Sequence, residues 1–216
     1  MKVVVAGAAG NTASRLLNRL AERGHEARGL VRKGEQLRQV EDLGAEPWLL
    51  DLEEAGPDEV GRAVEGADAV VFAAGAGPGS GTERKQTIDY GGAVKLIEAA
   101  ESRGVSRYLM LSTMNADNPD AMGEKMRPYL EAKAAADERL RESGLDYTII
   151  RPGSLTDDEG TGRIDAARSL GVRGEITRED VAEAFAIALE EDATRGETID
   201  ILAGDTPIAE ALRRIA

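Results

Sequence analysis

Lys2-Val3-Val4-Val5-Ala6-Gly7-Ala8-Ala9-Gly10-Asn11-Thr12-Ala13 decides the fold. The apolar run Val3 to Ala6 predicts a strand buried on both faces, as parallel strands are. It leads straight into Gly7-x-x-Gly10-x-x-Ala13, after which Leu16, Leu17 and Leu20 mark an amphipathic helix. Strand, glycine turn and helix in that order bring backbone N–H groups and a helix N-terminus up to a pyrophosphate. Gly7 permits the tight turn, Gly10 the close approach of phosphate, and Ala13 the packing of helix on strand. Asn11 and Thr12 complete this candidate cofactor-binding turn. An ordinary βα turn with incidental glycines is the competing reading. The position of the triplet, between a buried strand and a helix, favours the dinucleotide site.

Working outward, strand signals at 2–6, 26–31, 46–50, 68–74, 107–112, 146–150 and 197–202 alternate with helical ones. The helices are expected at 11–23, 35–43, 58–65, 83–103, 127–143, 179–191 and 207–215. Such alternation predicts an α/β, Rossmann-type doubly wound parallel sheet of about seven strands, in a single domain covering residues 1–216. Gly24, Gly104 and Gly144 follow helical patterns where left-handed C-caps belong. Pro57 and Pro128 suit first helical turns, and Thr177 suits an N-cap. Residues 75–81 (Gly-Ala-Gly-Pro-Gly-Ser-Gly) read as a mobile loop. Segment 153–178 breaks the alternation, with a short strand in prospect at 163–166; a substrate-covering flap and a plain surface loop both fit it.

The chain carries a formal net charge of −13, and its 27 basic residues are 21 arginines and six lysines. An acidic surface repels nucleic acid and anionic membranes, so neither is expected as a partner. The charge fits either an ordinary solvated surface or adaptation to high salt. Without cysteine, and with His25 as its one histidine, the chain offers neither disulfides nor a Cys/His metal centre. His25 follows Gly24 at a helix end, a surface position. No apolar run approaches the ~20 residues of a membrane span. The N-terminus reads as core strand rather than as a signal peptide. A cytoplasmic protein is expected.

The second strand ends Gly29-Leu30-Val31-Arg32-Lys33, where an NAD-specific site places an acidic residue for the ribose 2′-hydroxyl. Two cations there suit a 2′-phosphate, Arg32 bidentately and Lys33 as a point charge, so NADP (NADPH) is favoured over NAD. Arg15, one turn into the first helix, is a candidate assistant. The alternative is that both cations merely begin the next helix. Tyr129 and Lys133 lie four apart on a predicted helix and so share a face. The ammonium favours the phenolate, which would lower the tyrosine pKa and fit it for proton transfer to a carbonyl oxygen. The buried strand Tyr108 to Leu111 ends in Ser112-Thr113, whose hydroxyls then emerge beside that helix. Gly91 and Gly92 in mid-helix imply a close partner, either a ligand or a crossing helix. Met114, Met122 and Met126 fit an adaptable apolar rim or ordinary packing.

Gly7-x-x-Gly10-x-x-Ala13, Ser112/Thr113, Tyr129-x-x-x-Lys133 and Arg151-Pro152-Gly153 together resemble the short-chain dehydrogenase/reductase superfamily. The closer likeness is to its short atypical branch of NAD(P)-binding, NmrA-like and epimerase-like proteins, and it covers nearly the whole chain. The resemblance implies Tyr129 as general acid/base, Lys133 on the ribose hydroxyls, and Ser112 or Thr113 on the substrate oxygen. It places Asp51 and Leu52 near the adenine, Ala73, Ala74 and Gly75 along the cofactor, and Pro152 and Gly153 beside the nicotinamide. It implies a small-molecule substrate and a homodimer built on helices 83–103 and 127–143. Asp89 stands where many members carry Asn. Only about 65 residues follow the sixth strand, against the larger substrate domain of sugar-nucleotide epimerases. An NADP(H)-dependent oxidoreductase acting on a small carbonyl or quinone-like compound is the leading expectation. A redox-sensing NADP(H)-binding protein and a small isomerase are the others.

Overall fold

Strand β1 (Lys2–Ala6) lies in the interior of the sheet, hydrogen-bonded in parallel to β2 (Glu26–Val31) on one side and β4 (Ala69–Phe72) on the other. The structure is a computed structural model that describes residues 1–77 and 81–215; the side chains of residues 121 and 122 are also outside the description. Residues 78–80 of the glycine-rich loop and the Met122 rim position therefore lie outside the described residues.

Every Val3–Ala6 side chain is fully buried, and the two-residue period of a strand divides them between two cores. Val3 and Val5 pack with Leu16, Leu17 and Leu20 of α1 (Asn11–Glu22) and with Phe185 of α7 (Arg178–Ala188). Val4 and Ala6 pack on the opposite face with Phe72, with Val60 of α3 (Pro57–Val64) and with Leu96 of α5 (Ala93–Arg103). Burial on both faces is why this strand shows no polar alternation.

Seven parallel strands run in the order β3 (Glu46–Leu49), β2, β1, β4, β5 (Arg107–Leu111), β6 (Asp146–Pro152) and β10 (Glu197–Ala203). They are the seven that the sequence predicts. The sheet nevertheless has nine strands, because β8 (Arg163–Ala167) pairs antiparallel with β10, and β11 (Thr206–Pro207) pairs with β8. The short strand expected at 163–166 is present as β8, and segment 153–178 is thus not a plain loop. Its middle extends the main sheet, while β7 (Ser154–Thr156) and β9 (Glu175–Thr177) form a separate parallel pair.

Gly24 and Gly104 end their helices with φ of 74° and 70°, but Gly144 is not left-handed. There the Ser143 hydroxyl bonds the Leu140 carbonyl instead, ending α6 (Arg127–Arg141) without a glycine cap. Thr177 caps α7 as expected, its hydroxyl accepting from the Asp180 N–H. Helix α4 (Thr82–Arg84) runs into a π-helical stretch, Lys85–Gly92, and on into α5. The mid-helix glycines Gly91 and Gly92 are not forced by crowding: a Cβ would meet the Gln86 carbonyl oxygen at 3.4 Å and Leu52 at 3.6 Å respectively, ordinary contact distances. Among the described residues no helix is long and apolar enough to cross a membrane.

Candidate functional site

The strand order reverses between β1 and β4, and ligands bind outside the carboxyl ends of strands at such a point. A cleft of about 1290 Å³ opens there, walled by residues from six strand ends and from the starts of α4 and α6. Gly7 and Gly10 form one wall. Gly7 has φ of 78°, and a Cβ on it would lie 2.6 Å from the Ala74 Cα, so glycine is required on both counts. The Gly10 N–H closes the turn on the Gly7 carbonyl at 2.8 Å. Gly7→Ala should therefore lower Tm by several degrees and weaken dinucleotide binding together, as strain at a positive φ combines with a backbone clash. Scanning calorimetry and a binding titration check both.

Gly10 is also the N-cap of α1, with no side-chain cap and no acidic residue in the first turn. The first N–H groups of α1 are left for an anion to satisfy. Asn11, Thr12 and Ala13 offer only this backbone: none of their side chains lines the cleft, and Thr12 and Ala13 are buried in packing.

The two cations after β2 part company. Arg32 lines the cleft and has no ion pair or hydrogen bond among the described residues. Lys33 is off the cleft wall and pairs with Glu35 at 3.4 Å. Arg15 does not assist Arg32; it is held by Glu179 at 3.1 Å and Asp157 at 3.4 Å. His25 is largely covered rather than on the surface, with Glu190 3.4 Å away.

Asp51, Leu52, Ala73, Ala74, Gly75, Pro152 and Gly153 all line the cleft, as do Ser112, Thr113, Tyr129 and Lys133. Lys133 is 4% exposed and donates to the Leu111 carbonyl at 2.9 Å, with Asp89 Oδ1 at 3.4 Å. Burial opposes its charge, yet negative charge on Tyr129 when ionised and on the carboxylates of Asp89 and Asp137 more than offsets this and leaves its pKa raised. The ammonium has three donors, and these two contacts leave one for a ligand.

Lys133 does not bring the Tyr129 pKa down on balance. Burial pushes the phenol up, Lys133 pulls it down, and Asp89 and Asp137 add to the rise. The net direction is up, so the phenol carries its proton at neutral pH.

Ser112 and Thr113 also separate. The Ser112 hydroxyl donates to Asp137 Oδ2 at 2.8 Å in a site where Asp137 is wholly buried. Thr113 is half-buried on the cleft wall with Tyr129; its hydroxyl donates to the Met114 carbonyl at 3.4 Å and acts to lower the Tyr129 pKa, the weakest of the influences on that phenol.

Asp137 belongs to a network that the sequence reading missed. Arg151 donates to Asp137 from Nε at 2.9 Å and from Nη2 at 2.7 Å, and it also holds both oxygens of Asp117. Burial raises the Asp137 carboxyl, while Arg151 and Ser112 draw it back only in part. A signal was present: Tyr129, Lys133 and Asp137 repeat at four-residue spacing along one helix face. Asp89 is the acidic partner of Lys133 as well as an acceptor for the Ala76 N–H.

Comparison with known proteins gives the family and the fold. A family model described as NAD(P)H-binding matches residues 7–192. A Bacillus subtilis (strain 168) protein, named an uncharacterized sugar epimerase, YhfK, is 43% identical over 216 residues, covering all of both chains. The structure of a Bacillus halodurans protein described as a putative NAD-dependent epimerase/dehydratase is 40% identical, with a TM-score of 0.94 over the whole of both chains. That of the Lactococcus lactis oxidoreductase ylbE is 32% identical with a TM-score of 0.88, covering 99% of this chain and 96% of that one.

Proposed function

This chain belongs to the NAD(P)H-binding family, and on that premise we propose that it is an NADPH-dependent oxidoreductase reducing a small carbonyl or quinone-like compound. The observation that carries the reading is the convergence of Thr113, Tyr129 and Lys133 in one cleft with the Gly7–Gly10 turn.

The residues present fit a dinucleotide. Gly7 leaves a cradle that a Cβ would fill, the α1 N-terminus has donors to spare, and Arg32 has no other partner. NADPH supplies a hydride when bound. Arg32 would hold the 2′-phosphate, and the Gly7–Gly10 turn the pyrophosphate. Lys133, fixed by Leu111 and Asp89, would offer its remaining N–H to a ribose hydroxyl. Tyr129 would give its proton to the substrate oxygen as that oxygen gains charge, and Thr113 would orient the phenol and polarise the same oxygen. Ser112 is given a different part, that of bracing Asp137 under the site.

The first test is a direct titration with NADPH and, separately, NADH. A clear NADPH preference is expected, and Arg32→Asp should reverse it. Loss of a charged hydrogen bond costs about 1.5–3 kcal/mol, roughly a ten- to hundredfold change in Kd. Equal affinity for both cofactors in the parent, or an unchanged preference in the variant, would remove Arg32 from the assignment.

The relative named a sugar epimerase supports a second reading, an isomerase that retains its cofactor. Steady NADPH oxidation against aldehydes, ketones and quinones separates the two, because an isomerase consumes none.

A further inference from the structure

Most basic side chains of this acidic protein are neutralised by neighbours. Among the described residues Arg32, Arg62, Lys85 and Lys125 are the exceptions, having neither an ion pair nor a hydrogen bond from the side chain. Three of them, Arg32, Lys85 and Lys125, line the cleft. In a chain of net charge −13, cations left unpaired in one concave place make it a local attractor for anions. Arg32 lies at the end of β2, where the cofactor's 2′-phosphate is assigned. The two lysines need another ligand.

Their positions in the fold say which. Lys85 opens the π-helical stretch and precedes Asp89 by four residues, close to one turn of such a helix. It therefore stands about one turn from Asp89 along the same helix, and both residues line the cleft. Lys125 lies in the turn that leads into α6, four residues before Tyr129. Both lysines thus line the same cleft as Tyr129. Ile88 and Met126 add apolar wall beside them. The carboxylates of the wall are Asp51, whose Oδ1 accepts the Glu53 N–H, Asp89, which faces Lys133, and Glu124.

We propose that Lys85 and Lys125 bind a carboxylate on the substrate, so that the reducible compound is an organic acid with an apolar body. The proposal rests on the reductase reading above for the word substrate. The recognition itself is a matter of charge.

The test uses a matched pair, 4-formylbenzoate and its neutral methyl ester, titrated calorimetrically into the full-length protein in the presence of saturating NADP+ and again without it. The acid should bind about tenfold more tightly than the ester, a preference that falls as salt is raised. Lys85→Gln/Lys125→Gln should abolish that preference while leaving Kd for NADPH unchanged. Equal binding of acid and ester, no binding of the acid up to millimolar concentration, or a preference that survives the double substitution would overturn the proposal. Turnover of the pair is read separately with NADPH. Selective binding of the acid without reduction would support the anion site and count against the reductase reading; reduction of both compounds at equal efficiency would do the reverse.

Discussion

Tyr129→Phe should lower kcat for carbonyl reduction by about 10²–10⁴-fold, the usual worth of a positioned general acid, while Kd for NADPH stays within a factor of about two. Only the hydroxyl is removed. The ring keeps its place on α6, and Lys133 keeps its contacts with Leu111 and Asp89. The parent should also show a kcat that is flat through neutral pH. Burial, helped by Asp89 and Asp137, holds the phenol above its ordinary value, so the acid form persists until strongly alkaline pH. A fall in kcat between pH 7 and 9 that disappears in Tyr129→Phe would show the opposite shift. Undiminished turnover in the variant would take Tyr129 out of the chemistry altogether.

Arg151→Leu is expected to have the largest effect on stability. Arg151 is 5% exposed and holds the wholly buried Asp137 as well as Asp117. Removing one partner of a buried pair costs about 3–5 kcal/mol, because the remaining charge is left uncompensated. At about 2–4 °C per kcal/mol for a chain of this size, Tm should fall by roughly 10 °C.

The sign of the pH dependence identifies the cause. The Asp137 carboxyl already stands above its ordinary value, pushed up by burial, and losing Arg151 raises it further. An acid with a folded pKa above its unfolded one binds more protons in the native state. Its contribution is favourable at low pH and is lost as pH rises through that window. The deficit of Arg151→Leu should therefore be smaller at pH 5 than at pH 8. Arg151→Leu/Asp137→Leu should recover much of it, since no charge is then stranded. A deficit independent of pH, or a double variant no better than the single one, would mean that the network is not what stabilises this region.

Much of this protein is legible in its sequence alone. The continuous apolar run of Val3 to Ala6 can be satisfied only by cover on both faces, and Gly7-x-x-Gly10 only by a tight turn into a helix. All seven parallel strands follow from local pattern, because burial leaves its mark on each strand's own residues. The edge strands were less visible. A short strand at 163–166 was readable in the residues themselves, but its antiparallel place beside β10 depends on that distant partner.

The site shows the same division. Local sequence determined which residue types are on hand: the glycine turn, the cations after β2, the four-residue spacing of Tyr129 and Lys133. Tertiary structure alone decided which of them face one another. Arg32 lines the cleft and Lys33 does not; Thr113 shares the cleft wall with Tyr129 while Ser112 turns to Asp137. It also reversed the expected direction of the Tyr129 pKa. A neighbouring ammonium is visible in a helix spacing, whereas desolvation is set by everything that packs around the ring. Periodicity records a residue's own burial; electrostatics and pairing depend on groups brought from elsewhere in the chain, and those only the fold assembles.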